Sequence, residues 1–116
     1  MTFASSSRYT GSSMKFFHFN QNNSFGQYDG PALDVVIEAE NAKDANHRAE
    51  ANGLYFDGCM DGIDCKCCGD RWSRQFSCEE GSSTPCVYGE ELVLVDEPTQ
   101  KLVVFADGSK KYARYK

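Results

Sequence analysis

Apolar residues in this chain occur in short clusters separated by turn-forming residues, and the first two clusters predict β-strands. Residues 15–20 (KFFHFN) are rich in aromatic side chains and short, as a strand is. Residues 32–40 (ALDVVIEAE) predict a second strand. The stretch between them contains Asn, Gly, Asp and Pro, which favour a loop. Because side chains alternate across a strand, Phe17 and Phe19 should share one face of the first strand. Val35 and Ile37 should likewise share one face of the second strand.

Residues 41–53 (NAKDANHRAEANG) predict the only clear helix. Asn41 is a favourable N-cap, and Asp44 stands at the third helical position, as in a capping box. Gly53 is a suitable residue to end the helix. Small residues recur at i, i+3 and i+7 and so predict a face that lies close on a sheet; they are Ala42, Ala45 and Ala49.

Three further apolar clusters near the C-terminus predict three strands: ELVLVD at 91–96, KLVVFA at 101–106 and KKYARY at 110–115. Asp107–Gly108 predicts a two-residue hairpin turn between the last two. We therefore expect these strands to form an antiparallel meander. The predicted fold class is α+β: a small, mostly antiparallel sheet of about five strands with one packed helix.

The rest of the chain lacks periodicity. Residues 1–13 are rich in Ser and Thr and predict a flexible N-terminal arm. Residues 14–116 are expected to form a single domain, a length that is ordinary for one. Residues 57–90 form a Cys-rich irregular insert, and a compact domain seldom carries such a long irregular segment without a reason.

Composition excludes several classes of protein. The apolar fraction is 41% and the charged fraction 25%, as in globular domains, and no apolar run reaches the length of a transmembrane span. No apolar leader resembling a secretory signal is present. The net charge of −5 is uneven, because residues 34–97 carry fifteen acids and five bases whereas residues 98–116 carry five bases and one acid. Such asymmetry suggests a binding surface with two signs of charge, or solvated faces alone.

The six cysteines suggest a structural zinc site. Residues 65–69 (CKCCG) contain a C-x-x-C-G turn, in which Cys65 and Cys68 can point at one tetrahedral metal ion. Cys78 and Cys86 would complete a set of four thiolate ligands. Cys59 and Cys67 are possible substitutes, and a histidine, either His18 or His47, could replace one thiolate. Bound zinc contributes about 10 kcal/mol or more to folding, enough to order the insert.

Other interpretations of the cysteines remain open. The thiols could be free, or paired in disulfides, although the missing signal peptide favours a reducing compartment. A thioredoxin-like redox motif should open a helix, and no helical pattern follows Cys68. No phosphate-binding loop and no Ser-His-Asp set is visible, so we predict that the protein is not an enzyme. Basic and aromatic residues alternate at 110–116, a pattern of single-strand binders, but the acidic overall charge makes nucleic acid an unfavoured partner.

Three segments together resemble a family of short, uncharacterised proteins of tailed bacteriophages: residues 14–30, residues 35–58 and residues 62–72. The most specific part is a D-C-x-C-C-G-x-R-W motif, formed here by Asp64, Cys65, Cys67, Cys68, Gly69, Arg71 and Trp72. The resemblance covers residues 14 to about 115, and Cys59, Cys78 and Cys86 are not part of its pattern.

The resemblance implies a phage origin and a location in the host bacterial cytoplasm, without an established activity. We expect a small accessory protein that binds a host or phage protein, inhibiting it as part of host takeover or anti-defence, with a zinc or thiol turn that stiffens the insert. The alternatives are a virion component such as a decoration or neck protein, which the Ser-rich arm suggests, and a nucleic-acid-binding zinc-knuckle protein. The predicted metal ligands are Cys65, Cys68, Cys78 and Cys86.

Overall fold

The computed structural model describes residues 14–21, 31–62 and 69–116. The predicted arm at 1–13 lies outside these residues. The elements in chain order are β1 (Lys15–Asn20), β2 (Asp34–Ala39), α1 (Ala42–Ala51), β3 (Cys86–Val87), β4 (Glu90–Val95), β5 (Lys101–Val104) and β6 (Lys110–Tyr115). An α+β fold with a mostly antiparallel sheet and one helix is confirmed for the described part of the chain.

The order of the strands corrects the predicted meander. The sheet runs β1-β2-β5-β6-β4-β3, so β6 lies between β5 and β4, which do not pair with each other. The β2–β5 pair is parallel and the other pairs are antiparallel. The apolar pattern could place β4 in a sheet but carried no information about its neighbour, because strand pairing depends on contacts between distant segments.

The sheet has six strands, not the five that the sequence predicted, because β3 forms inside the insert. This two-residue strand pairs with the start of β4 and is too short to leave a period-two pattern. Ahead of it, Ser82 and Phe16 exchange two backbone hydrogen bonds of 2.8 Å each, so the segment before β3 lies along β1. β3 also packs against β1 and β2. The sheet therefore curls into a nearly closed barrel.

Helix α1 begins and ends as its sequence predicts. The Asn41 side chain accepts a hydrogen bond from the Asp44 amide at 2.8 Å, and the Asp44 carboxylate accepts one from the Glu40 amide. At the other end, the Gly53 amide donates to Glu50 and the Leu54 amide donates to Ala49, while Gly53 adopts a φ of 95°. This is a Schellman motif, which satisfies carbonyl groups that a helix end leaves free.

Two apolar cores lie on the two faces of the sheet. On the outer face, the three predicted alanines of α1 are 0–3% exposed and pack against one side of β1, β2 and β5. The inner face of the barrel encloses a smaller core, to which residues on all six strands contribute: Phe16, Val36, Val87, Leu92, Val103 and Ala113. Because both faces of β2 are covered, its residues 34–37 are all buried.

The hairpin between β5 and β6 is present, but its loop is longer than predicted. The Gly108 amide donates to the carbonyl of Phe105, and the Phe105 amide donates to the carbonyl of Ser109. Gly108 has a φ of 91°, so the connection is a three-residue loop in which glycine takes the left-handed position. Asp107 stabilises it by accepting hydrogen bonds from the Ser109 amide and hydroxyl.

Candidate functional site

The predicted zinc ligands fall in different parts of the chain. Cys65 and Cys68, and the substitute Cys67, lie outside the described residues. Cys78 is exposed, and Cys86 is partly buried at the start of β3 with its Sγ atom 3.6 Å from the Thr84 hydroxyl. Within residues 14–21, 31–62 and 69–116, no three His, Cys, Asp or Glu side chains form a metal-binding group. The four-cysteine site therefore stays a prediction that depends on Cys65 and Cys68.

The last two residues of the D-C-x-C-C-G-x-R-W motif have a structural role. Trp72 is 1% exposed, packs in the helix-side core and forms a β-bridge with Gln21 at the end of β1. The Arg71 guanidinium donates to the Gln21 side chain at 2.8 Å, and Gln21 itself donates to the Ala32 carbonyl. Arg71 and Trp72 thus fasten the insert to the strand that opens the fold.

Two of the four bases at 110–116 are paired with acids, whereas Lys110 and Arg114 are exposed. Lys111 pairs with Asp96 at 3.2 Å and Lys116 pairs with Glu91 at 2.9 Å. Tyr112 packs against the helix-side core, and only Tyr115 of the two tyrosines is largely exposed. The nearby acids and the partial burial of Tyr112 make this strand less favourable as a platform on which bases would stack.

A different group of side chains converges at one end of the barrel, which we call the barrel mouth: His18, Asn20, Asp34, Tyr88, Lys101 and Tyr115. The sheet register explains their meeting. Asn20 pairs with Asp34, and Asp34 pairs with Lys101, so the end of β1 lies beside the starts of β2 and β5. Tyr115 ends β6 and Tyr88 follows β3, at the same end of the barrel.

Asp34 is the centre of the barrel mouth. Its side chain is 5% exposed, and its Oδ1 atom accepts hydrogen bonds from His18 Nε2 at 2.8 Å and from the side-chain Nδ2 atom of Asn20 at 2.9 Å. Its Oδ2 atom lies 3.9 Å from the Lys101 ammonium group. A buried carboxylate needs such partners, because burying a charge without them costs several kcal/mol.

The contacts within the mouth shift the pKa values of two of its side chains, Asp34 and Tyr88. Burial raises the pKa of Asp34, but the hydrogen bonds from His18 and Asn20 and the charges of His18 and Lys101 outweigh burial, so the net pKa lies below its ordinary value. Asp34 is therefore ionised at neutral pH. Desolvation, the Asp34 charge and the nearby Tyr115 raise the pKa of Tyr88. The Tyr88 phenol accordingly keeps its proton and remains a hydrogen-bond donor.

Two tyrosine rings project from this cluster towards solvent. Tyr88 is 68% exposed and packs edge-to-face with His18, with ring centroids 5.0 Å apart. Tyr115 is 41% exposed, and the Lys101 ammonium group lies 4.4 Å from the centre of its ring. Each exposed ring is thus held by a basic side chain that is itself tied to Asp34.

The backbone at Tyr88 is unusual. Tyr88 and Gly89 form the two-residue turn between β3 and β4, and their φ angles are 53° and 80°. A hairpin turn of this kind requires positive φ at both positions, which normally selects Asn, Asp or Gly. A bulky side chain in this conformation costs of order 1–3 kcal/mol. A tyrosine thus occupies a position where backbone stability alone favours Asn, Asp or Gly.

A cleft of about 380 Å³ adjoins the mouth beside Tyr88. His18, Tyr88 and Cys86 line one part of it, and Gln75, Glu79 and Glu80 line another. The Gln75 side chain donates to the His18 carbonyl at 2.6 Å, and the Gln75 amide donates to the Asn46 side chain of α1. These bonds fix this part of the insert beside β1 and α1.

Sequence reasoning missed the barrel mouth. It considered His18 only as a substitute zinc ligand and placed no role on Asp34, Tyr88, Lys101 or Tyr115 at this site. One signal was present: Asp34 is a charged residue directly before the apolar run Val35–Ile37, where a strand buried on both faces seldom carries an acid. Finding its partners required the register of β1, β2 and β5.

The mouth has the chemistry of a binding surface. Asp34 lies within hydrogen-bonding distance of His18 and within ion-pairing distance of Lys101, so the two exposed rings are the main side chains of the mouth that face solvent. Aromatic side chains with one polar end are typical of recognition surfaces.

Comparisons with known proteins place the chain in a family. No helix in the described part of the chain is long and apolar enough to cross a membrane. No curated protein and no solved structure shows significant similarity to it. The model of one family, described as a domain of unknown function (DUF7296), matches residues 14–115. Because this match spans most of the sequence and includes the barrel, the helix and the insert, the chain belongs to the DUF7296 family.

Proposed function

We propose that the protein acts by binding another protein through its barrel mouth, with Tyr88 and Tyr115 as the main contact residues. The observation that carries this proposal is the position of Tyr88: a bulky aromatic residue, 68% exposed, at a positive φ. Tyrosine is enriched at the centres of protein interfaces. Backbone strain at a largely exposed residue is a common feature of functional positions.

The polar side chains that contact the two rings hold them in place, which makes the rings suitable for binding. His18 packs against Tyr88, Lys101 lies over Tyr115, and Asp34 bonds to both basic groups. Ordering a mobile side chain at an interface costs about 0.5–1.5 kcal/mol of conformational entropy. Side chains that are already ordered before binding avoid most of this cost. The polar cluster therefore serves the binding surface by fixing its aromatic residues.

Recognition through side chains is also favoured because the outer edge of β1 is occupied. Phe16 is paired with Ser82, and Gln21 is paired with Trp72. A partner could add a strand there only by displacing these bridges. The exposed rings at the mouth need no such rearrangement.

The nature of the partner follows from the resemblance to short phage proteins. We infer a phage accessory protein that binds a host or phage protein in the host cytoplasm, with inhibition of a host or defence protein as the consequence. A zinc or thiol turn in residues 65–68 would add stiffness to the insert. The exposed acidic residues of the protein favour a partner with a basic surface.

Site-specific photo-crosslinking tests the proposal. A photoreactive phenylalanine analogue replaces Tyr88, or Lys43 as the control, which is exposed on α1. Irradiation in host cells should give one discrete adduct from position 88 and none from position 43, and mass spectrometry should identify the attached protein. Adducts at equal levels from both positions, or from neither, would contradict the proposal. An adduct with a capsid or neck protein would support the virion alternative.

A further inference from the structure

We infer that the cleft beside Tyr88 receives an arginine side chain of the partner. The inference rests on the proposed function and specifies the chemistry of the contact. The cleft combines a solvent-exposed aromatic ring, Tyr88, with the exposed carboxylates of Glu79 and Glu80. An aromatic ring attracts a cation to its face, and carboxylates pair with the same cation from the side.

The charge of the cleft favours a cationic guest. Its lining contains two glutamates and neither lysine nor arginine. Lys15 is close by, since its Cβ atom lies near Gly81, but its side chain is exposed and does not line the cleft. His18 faces the cleft too, and its Nε2 atom bonds to the Asp34 carboxylate, which lies outside the lining of the cleft. The surroundings of the guest are therefore net negative.

Arginine matches this set of groups better than lysine does. The planar guanidinium group stacks on aromatic rings and donates paired hydrogen bonds to a carboxylate, whereas the lysine ammonium group is a more strongly hydrated point charge. A volume of about 380 Å³ lies at the small end of the range for ligand pockets and accommodates one long side chain.

The walls of the cleft are fixed in advance. Ser82 is held to Phe16 by two backbone hydrogen bonds, which positions Glu79 and Glu80 beside β1. Gly81 allows this close approach, because a Cβ atom there would lie 2.8 Å from Lys15 Cβ and 3.0 Å from the Phe17 ring. The opposite wall is the Tyr88–Gly89 turn, which contacts His18 through its tyrosine.

Titration with short peptides tests the inference without knowledge of the partner. The full-length protein, labelled with ¹⁵N, is titrated with acetyl-Gly-Arg-Gly-amide, and the peptides with Lys or Glu in place of Arg serve as comparisons. The arginine peptide should cause saturable shifts of the amide signals of residues 75–89, with weaker binding by the lysine peptide and none by the glutamate peptide.

Matched variants separate the cleft from general electrostatics. Glu79→Gln with Glu80→Gln should weaken binding of the arginine peptide by about tenfold, the effect of losing charge-assisted hydrogen bonds. Glu40→Gln with Glu97→Gln removes the same charge from exposed positions elsewhere and should change the affinity by less than about twofold. Tyr88→Phe should retain most of the binding and Tyr88→Ala should lose it, because the ring face and not the hydroxyl attracts the cation.

The outcomes distinguish this inference from the proposed function. Shifts that do not saturate, equal binding of the arginine and lysine peptides, or equal losses in the two double variants would overturn the arginine cleft. A crosslinked partner at Tyr88 combined with any of these results would leave the protein-binding function standing and remove only the arginine contact. Peptide binding as described, without a crosslinked partner, would reject the proposed function while showing that the cleft recognises arginine.

Discussion

Replacement of Asp34 by alanine is the sharpest test of the barrel mouth. The carboxylate is 5% exposed and accepts hydrogen bonds of 2.8 Å from His18 and 2.9 Å from Asn20. Its second oxygen faces the Lys101 ammonium group at 3.9 Å. Alanine removes the acceptor for all three groups and leaves a lysine, 16% exposed, without its counter-charge.

The expected loss of stability is about 3 kcal/mol. Each charge-assisted hydrogen bond contributes about 1.5–3 kcal/mol, and removing one partner of a buried ion pair costs about 3–5 kcal/mol. The lower end applies because His18 and Lys101 are 18% and 16% exposed, so their polar ends can regain some contact with water.

Urea unfolding followed by tryptophan fluorescence measures this loss. Trp72 is the sole tryptophan and is buried, so its emission reports the transition. With a dependence of about 1–3 kcal/mol per molar urea, the midpoint should fall by about 1–3 M. Asp96→Ala is the matched control: its carboxylate is 94% exposed, and its loss should cost less than about 0.5 kcal/mol.

A loss below 1 kcal/mol for Asp34→Ala would refute the view that Asp34 organises the mouth. If the alanine variant does not fold, Asp34→Asn replaces it, since the amide oxygen can still accept hydrogen bonds while the charge is gone; a loss of about 1–2 kcal/mol is expected. The effect should also depend on pH. Because the folded-state pKa of Asp34 is lowered, its contribution is present above about pH 4 and is lost as the pH falls through the folded pKa. The difference in stability between wild type and Asp34→Asn should therefore shrink on acidification.

Three further predictions concern the turn at Gly81, the helix cap and the metal. Gly81→Ala should lower the free energy of unfolding by about 2–3 kcal/mol, measured by thermal or urea unfolding, because it adds a clash with Lys15 and Phe17 to a φ of 72°. Gly89→Ala is the control: with a φ of 80° and no atom within 4 Å, it should cost only the backbone strain, about 1 kcal/mol. Equal losses of stability in the two variants would exclude the clash. Asn41→Ala should lower stability by about 1 kcal/mol through loss of the cap to Asp44, and an unchanged melting temperature would contradict this. Zinc bound by four cysteines predicts one zinc and about two reactive thiols per chain in protein purified without chelator; six reactive thiols and no metal would refute the proposal.

Local sequence determined the parts of the fold that depend on near neighbours. The cap at Asn41, the Schellman end at Gly53 and the buried alanine face of α1 all formed as predicted, since their hydrogen bonds and contacts join residues a few positions apart. The strands at 15–20, 34–39, 101–104 and 110–115 followed from short clusters of apolar and aromatic residues. The Asp107–Gly108 pair marked the hairpin, and only the loop length differed.

The tertiary structure decided which strands pair and which side chains meet. The parallel pairing of β2 with β5, the insertion of β6 between β5 and β4, and the short strand β3 each join segments that are far apart in the chain, and many such pairings satisfy the same alternation of apolar residues. The barrel mouth is a consequence of that register: it brings Asp34 between His18 and Lys101 and sets Tyr88 on top. No local pattern encodes such a meeting, because a charge becomes buried and paired only when distant strands enclose it.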